Sequence, residues 1–402
     1  MKESLRQNLS ARVVIALAVL GLGVILAACA NSALSSDSIS GALAAPTVDA
    51  GPAATATAFE RSIEEMVAAT VLELRIQTMV AAGVATIRAG FTPTPIATAT
   101  PAPAEIATPT VASVTVRDPL LGVGIHPWKA GHSPTLEEIN ELGIGWVRFV
   151  AYADRLAGLG DVLANFDRFG VRVILVVNQE TFPRKGDENF DNYANRFSSE
   201  FARLVSAHDQ QVAAWEVWNE PDDPKPWKHL KEADYLLLLE LCFKKAKALS
   251  PQTVVLATGY AGGVNLLRGE NHVVVGKKVR CDGYVYHSYG ERVGNFPAHY
   301  NGPMISSLTA AHAATGVPIW VTEFGAPLED FEVLGGDAEE HQAEYLRRAV
   351  EEARGLSFVQ TMIYFGFVDL DNEEKAQKYG LLTLGFEKRA AYQTFASLTG
   401  AR

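Results

Sequence analysis

From about residue 118 to the end of the chain, short apolar runs alternate with longer amphipathic ones. The short runs are "LLGVGIHPW" (120–128), "GWVRFVAY" (145–152), "VRVILVVNQ" (171–179), "VAAWEVWNE" (212–220), "TVVLATGYA" (253–261), "CDGYVYHSY" (281–289), "PIWVTEFGA" (318–326) and "FVQTMIYFGFV" (358–368). Near-continuous apolarity over so few residues predicts strands buried on both faces. Helical spacing between them predicts helices over Pro134 to Leu142, Arg155 to Phe169, Tyr193 to His208, Ala233 to Leu249, Pro303 to Thr315 and Ala338 to Arg354. Strands separated by helical crossovers imply an α/β fold with a parallel sheet covered by helices, and eight such units from 118 to 402 match the size of a (β/α)8 TIM barrel. The interval 262–280 fits least well, offering only a short or irregular helix. An open doubly wound sheet is the alternative, but it would carry a glycine-rich phosphate turn after its first strand, where this chain has Pro127-Trp128.

Before residue 118 the pattern is different. Lys2, Arg6 and Arg12 precede the apolar run "VVIALAVLGLGVILAA", which closes on Cys29, the layout of an export signal over residues 1–28. "LAAC" (26–29) resembles a bacterial lipobox, and that resemblance implies cleavage before Cys29, lipidation of its thiol and an envelope lipoprotein outside the cytoplasm. Residues 29–117 are rich in Ala, Thr, Ser and Pro, with too few large apolar groups to offset the entropy of ordering, and read as a tether of roughly 50 Å root-mean-square span. Within it, 57–88 has helical spacing and predicts one spacer helix.

Composition narrows the function. A formal net charge of −11 leaves no general basic surface for nucleic acid. Nine histidines and three cysteines are too scattered for a zinc or disulfide scaffold, so no metal or cofactor is expected, and Cys242 and Cys281 read as free buried thiols. Chemistry must come from carboxylates. The acidic stretch "DLDNEE" (369–374) has a calcium loop's composition only and reads as a solvated loop.

Active sites of such barrels form at the C-terminal strand ends. His126, Arg148, Asn178, Asn219, Glu220, His287, Tyr289 and Glu323 all fall there. Glu220, flanked in sequence by Trp215, Trp218 and Pro221, is expected to be poorly solvated and hence a proton donor near neutral pH. Glu323 closes the seventh strand in the same way, so two carboxyl groups would share one cavity. Such a pair supports double-displacement hydrolysis of a glycosidic bond, with Arg148 holding Glu323 ionised and Asn219 holding a sugar hydroxyl.

The chain resembles the (β/α)8 retaining glycoside hydrolases of clan A, most closely cellulase-like family 5 and xylosidase-like family 39. The resemblance rests on "WNEP", "VTEFG", "WVRF" and "YHSY". It implies Glu220 as acid/base, Glu323 as nucleophile, Arg148 and His287 as supports, and Tyr289 in contact with the nucleophile. The C-terminal "YGLLTLGFEKRAAYQTFASL" is similar to the clan's closing strand-and-helix segment. Two positions depart from the pattern: strand three ends in Asn178 where family 5 has histidine, and the tryptophan after strand eight is replaced, with Tyr364, Phe365 and Phe367 as substitutes. Trp128, Trp218 and Trp227 are candidates for stacking on sugar rings. The expected function is therefore a retaining glycosidase acting on an oligo- or polysaccharide. A non-catalytic carbohydrate-binding barrel and a transglycosylase using the same residues are the alternatives.

Overall fold

Eight parallel strands pair in sequence order and the last returns to the first, closing a barrel. They are β1 (Leu121–Gly124), β2 (Trp146–Val150), β3 (Arg172–Val177), β4 (Ala214–Val217), β5 (Val255–Ala257), β6 (Gly283–Tyr289), β7 (Ile319–Gly325) and β8 (Val359–Tyr364). The helices are α1 (Leu136–Leu142), α2 (Leu159–Arg168), α3 (Phe190–His208), α4 (Glu232–Leu249), α5 (Gly302–Thr315), α6 (Leu328–Glu332), α7 (Ala338–Ala353) and α8 (Ala390–Thr399). This computed structural model describes residues 117–223, 225, 229–260, 274–289, 302–370 and 377–400, all within the compact unit Glu64–Arg402. The signal segment, Cys29, the tether, its helix 57–88, Trp227 and residues 371–376 lie outside the described residues.

Among the described residues, each of the eight expected strands and the six expected helices between 134 and 354 is present as the type expected, with adjusted ends. The strands are shorter than the apolar runs because the terminal residues leave the ladder to build the rim. The Arg155–Phe169 helix divides into a tight 3-10 segment, Ala153–Gly158, and α2. Most of the 262–280 interval is not described. Local signals set several boundaries: Thr135 and Glu138 form a reciprocal capping box at the start of α1, and Gly143 ends it at φ 61°. Asp337 caps α7 by accepting from the Glu339 and Glu340 amides.

The barrel interior is layered by the period-two alternation of its strands. Near the N-terminal ends, Trp146, Ile174, Ala214, Leu256, Val285, Trp320 and Ile363 form an apolar plug. Trp146 meets Trp320 edge-on at 5.5 Å. The two indoles fit because Gly122 and Gly283 face them: a Cβ on Gly122 would lie 2.4 Å from the Trp146 carbonyl, and one on Gly283 would lie 2.5 Å from the Trp320 ring. Two residues further along five of those strands stand Arg148, Glu216, Thr258, His287 and Thr322, all buried. Apolar side chains thus fill the base of the barrel, and a buried polar layer sits above them, beneath the mouth. Burying ions costs several kcal/mol each unless they are paired, so the pairing within this layer decides what it can do.

Candidate active site

Strand β4 ends at Val217, and the chain then turns through two non-glycine residues with left-handed backbone, Trp218 (φ 78°) and Glu220 (φ 49°). Such conformations cost about 1–3 kcal/mol each and persist only where surrounding structure fixes them. Here the Trp218 amide donates to the Val177 carbonyl at 2.9 Å and the Glu220 amide to the Gly259 carbonyl at 3.2 Å. The turn sends the Trp218 indole outward against Phe197 of α3 and brings Asn219 and Glu220 to the site.

Strand β7 uses a different device. Its register against β8 shifts between Val321 and Phe324, and both of those residues belong to the core outside the strands. The two residues between them, Thr322 and Glu323, both turn inward, as a bulge allows. Across from them β6 shifts register at Tyr286/His287, placing His287 opposite Glu323.

Arg148 organises the carboxylates. Its Nε and Nη2 donate to the two oxygens of Glu216 at 2.8 and 3.0 Å, its Nη1 donates to Glu323 Oε1 at 2.5 Å, and Nη2 also reaches Asn219 Oδ1 at 2.8 Å. Tyr289 donates its hydroxyl to the other oxygen of Glu323. Fully buried His287 has Nδ1 at 3.0 Å from Glu220 Oε1, with Nε2 at 3.2 Å from Thr322 Oγ1 and 3.7 Å from Glu216 Oε1. Both ring nitrogens thus face acceptors, which suits the doubly protonated imidazolium. Burial pulls the His287 pKa down, but Glu323, Glu216 and Glu220 outweigh it and carry the value up to about 10. Burial pushes Glu216 upward, yet Arg148 and His287 hold it at about 2. Tyr289 is kept protonated by burial and by the charge of Glu323.

The catalytic pair expected from the sequence is therefore in one place, together with Arg148, Asn219, His287 and Tyr289. Glu220, His287 and Glu323 each offer an atom within 4.8 Å of the others. Three such groups could hold a cation, but a ligating imidazole must be neutral, whereas these carboxylates favour the charged ring. Glu216 was missed: its signal is an acid in the middle of the apolar strand "AWEV", tolerable there only if paired.

Other expected residues are placed differently. Trp215 and Trp218 do not crowd the Glu220 carboxyl, because both indoles pack on the helix side, against Phe201 and Phe197. Trp218, only 2% exposed, offers no face for stacking in the barrel mouth. Tyr364 is likewise not a substitute platform: it is fully buried, edge-on to Phe324. Phe365 stands nearer the site, edge-on to Tyr289 at 5.3 Å and to Tyr379 at 5.2 Å. Asn178 is buried and spends its side chain on the turn after β3, accepting from the Glu180 amide at 2.9 Å. Trp128 is half-buried and donates to the Val150 carbonyl at 3.4 Å. His126 stands exposed at the rim; desolvation by its surroundings and Lys129 lower its pKa, against a raising influence of Glu323. Asp369 is not solvated, since it pairs with Arg389 at 2.5 Å and is 4% exposed. Cys242 and Cys281 are free and buried.

The closed (β/α)8 barrel brings carboxyl groups from the end of β4 and from β7 together at its C-terminal mouth. Residues 277–387 match the family model described as "Glycosyl hydrolase catalytic core", a segment that carries His287, Tyr289 and Glu323. Among solved structures, the chain is similar to a family 39 glycoside hydrolase from Bacteroides cellulosilyticus WH2, at 18% identity and TM-score 0.55 over 71% of this chain and 64% of that one. It is similar to GH5_18 from Streptomyces cattleya, in complex with Manb1-4GlcNAc, at 15% identity and TM-score 0.55 over 70% of this chain and 80% of that one. A third is the exo-beta-1,4-mannosidase Op5Man5 from Opitutaceae bacterium strain TAV5, at 15% identity and TM-score 0.53 over 73% and 62% of the two chains. At these identities what is shared is the fold. No curated protein matches the chain.

Proposed function

We propose that the chain is a retaining glycosidase in which Glu323 is the nucleophile and Glu220 the acid/base. The observation that carries this reading is the approach of the Glu220 and Glu323 carboxylates, one oxygen of each lying within 4.8 Å of the other. Retaining enzymes hold their carboxyl groups about 5–5.5 Å apart, whereas inverting ones leave about 6.5–9.5 Å for a water molecule.

In the first step a Glu323 oxygen bonds to the anomeric carbon as the bond to the leaving oxygen breaks, and that oxygen takes its electron pair and the proton of Glu220. In the second, Glu220 removes a proton from water, the water oxygen bonds to the anomeric carbon, and the ester to Glu323 breaks. Arg148 and Tyr289 hold Glu323 in place through separate oxygens, and Asn219, anchored by Arg148, is positioned to bind a sugar hydroxyl. Arg148 and His287 bring two positive charges among the three carboxyl groups, with His287 Nδ1 at 3.0 Å from Glu220, and Glu220 is the carboxyl group that passes its proton to the leaving oxygen in this reading. Its side chain is 13% exposed, against none for Glu216.

A screen of aryl glycosides and polysaccharides tests the reading, and the β-1,4 linkages named for the structural neighbours set its first panel. Glu220→Gln and Glu323→Gln should each lower turnover by about 10²–10⁴-fold, the range for loss of a positioned acid/base or nucleophile. A fluorinated glycoside should label Glu323; turnover that survives both substitutions, or labelling elsewhere, would remove the mechanism. Lipid anchoring at Cys29, read from the lipobox-like "LAAC" (26–29) after the apolar run, is part of the same proposal. Cys29→Ser should shift the expressed protein from the membrane to the soluble fraction.

A further inference from the structure

Tyr289 donates its hydroxyl to Glu323, but a tyrosine is placed by two side-chain torsions, and one hydrogen bond at its tip does not fix both. The ring is fixed by two other aromatics. Phe365, just past the end of β8, meets the Tyr289 ring at 5.3 Å and 86°, and Tyr379 meets it at 5.7 Å and 73°. Phe365 and Tyr379 also meet each other, at 5.2 Å and 87°. All three contacts are edge-to-face, the arrangement the ring quadrupoles favour. Phe365 is held by the barrel, since its amide donates to the Phe324 carbonyl at 2.8 Å. Tyr379 comes from the segment between β8 and α8, outside the barrel strands.

That segment is pinned on both sides of Tyr379. Before it, the Lys378 carbonyl accepts from the Leu328 amide at 3.2 Å and from Gln342 Nε2 at 2.9 Å. Gln342, fully buried on α7, also gives that nitrogen to the Ala326 carbonyl at 2.9 Å. One carboxamide thus ties the segment of Tyr379 to the chain just beyond Glu323. After Tyr379, the Gly380 amide donates to Asp369 Oδ1 at 2.8 Å, and Asp369 is itself paired with Arg389. A Cβ on Gly380 would stand 2.3 Å from the Asp369 amide nitrogen, so only glycine lets the two backbones come this close. The Tyr379 ring lies against β7, with Cδ1 at 3.4 Å from where a Gly325 Cβ would stand. Two buried polar side chains outside the Arg148 network, Gln342 and Asp369, therefore converge on the placement of one ring.

We propose that Tyr379 is a positioning residue of the reaction: with Phe365 it holds the Tyr289 ring so that the phenol hydroxyl stays on Glu323, and Gln342 fixes the segment that carries it. The kinetic part of this proposal rests on the glycosidase reading above, whereas its structural part needs no turnover.

The test compares Tyr379→Leu, Tyr379→Phe and Gln342→Leu in the full chain. Each variant is crystallised, and each is assayed, alone and combined with Tyr289→Phe, on p-nitrophenyl β-xyloside, β-mannoside and β-glucoside. In the crystal structures Tyr289 should leave Glu323 in Tyr379→Leu and stay on it in Tyr379→Phe, which keeps the ring. Tyr379→Leu should lower kcat by about 10–10²-fold, the effect of a misplacement of about 1 Å, with KM changed much less. Tyr379→Phe should restore most of that loss, and Gln342→Leu should lower kcat in the same direction. In the Tyr289→Phe background Tyr379→Leu should have little further effect, because a residue acting through Tyr289 then has nothing left to displace. Thermal melts check folding, and a role in packing alone would lower the melting temperature without this non-additivity. Tyr289 still on Glu323 in Tyr379→Leu, or losses that multiply in full in the double variant, would overturn the proposal. Displacement of Tyr289 in Tyr379→Leu, in a chain whose native form turns over none of the glycosides, would count against the catalytic reading and leave the positioning of Tyr289 by Tyr379 standing.

Discussion

At neutral pH the mouth of the barrel holds two fixed cations, Arg148 and the His287 imidazolium, among Glu216, Glu220 and Glu323. The ring is charged because Glu323 above all, then Glu216 and Glu220, favour its proton against the cost of burial, so its folded value of about 10 lies well above the ordinary 6.5. A raised value means that the folded state binds the proton more tightly, so the stabilisation is complete below about pH 6.5 and is lost as pH rises through about 10. Nitrogen NMR should show a charged His287 ring at pH 8, and melting temperature should fall between pH 7 and 10, a fall that His287→Gln flattens. Glu216 has the opposite sign: held at about 2, below its ordinary 4.5, it contributes above pH 4.5 and is lost as pH falls through 2. Replacing Glu216 with Gln leaves Arg148 without its two-pronged partner, and breaking a buried ion pair costs about 3–5 kcal/mol. Thermal melts should register that loss, and the NMR midpoint of His287 should fall in the same variant. Were the Glu216 carboxylate only a space-filler, the His287 midpoint would not move. Strand-end position and residue chemistry made Glu220, Glu323, Arg148 and His287 legible from the sequence. Glu216 was not, because a mid-strand acid has no local partner and Arg148 is 68 residues away.

Among the elements, the strands that carry the site are the irregular ones. Strict alternation along "IWVTEFG" would turn Trp320, Thr322 and Phe324 inward and Glu323 outward. The bulge in β7 reverses the last two, and a bulge is set by pairing between strands, which sequence periodicity does not record. The same limit explains the tryptophans of "AAWEVWNEPD": sequence proximity placed them around Glu220, whereas the left-handed turn at Trp218 sends that indole to the helix layer. Gly259, at the end of β5, is a close-approach position. A Cβ there would lie 2.6 Å from the His287 ring, and His287 is enclosed on every side. Gly259→Ala should therefore displace the ring from Glu220 and lower turnover at least tenfold while the circular dichroism spectrum stays that of the native barrel. Unchanged activity would mean that β5 yields instead, and that the position of His287 is not what the reaction needs.

On the scale of the whole molecule, the barrel was legible because it is built from one repeated pattern, while the loops that give it a substrate follow no pattern at all. The point where the barrel begins is a matter of specific contacts. The Arg117 guanidinium donates to the carbonyls of Ile139 and Phe169. The Asp118 carboxylate accepts from the Leu120 and Leu121 amides at 2.8 and 2.7 Å and pairs with Arg354 of the α7 C-cap at 2.6 Å. Its own amide donates to the Gly143 carbonyl, and the Asp118 carbonyl lies only 1.7 Å from where a Gly145 Cβ would stand. Residues 117 and 118 thus fasten β1 to the loop before β2 and to the helix before β8, the two neighbours that close the ring. A chain beginning at Arg117 should melt in the same cooperative transition as the full chain. Asp118→Ala should lose about 1–3 kcal/mol, because it strips two backbone amides and an arginine of their acceptor. Gly145→Ala should cost more, since no side chain can move to relieve a clash with backbone. Denaturant unfolding of the three chains orders these effects. If Asp118→Ala matched the native chain, closure of the barrel would rest on the β1–β8 ladder alone.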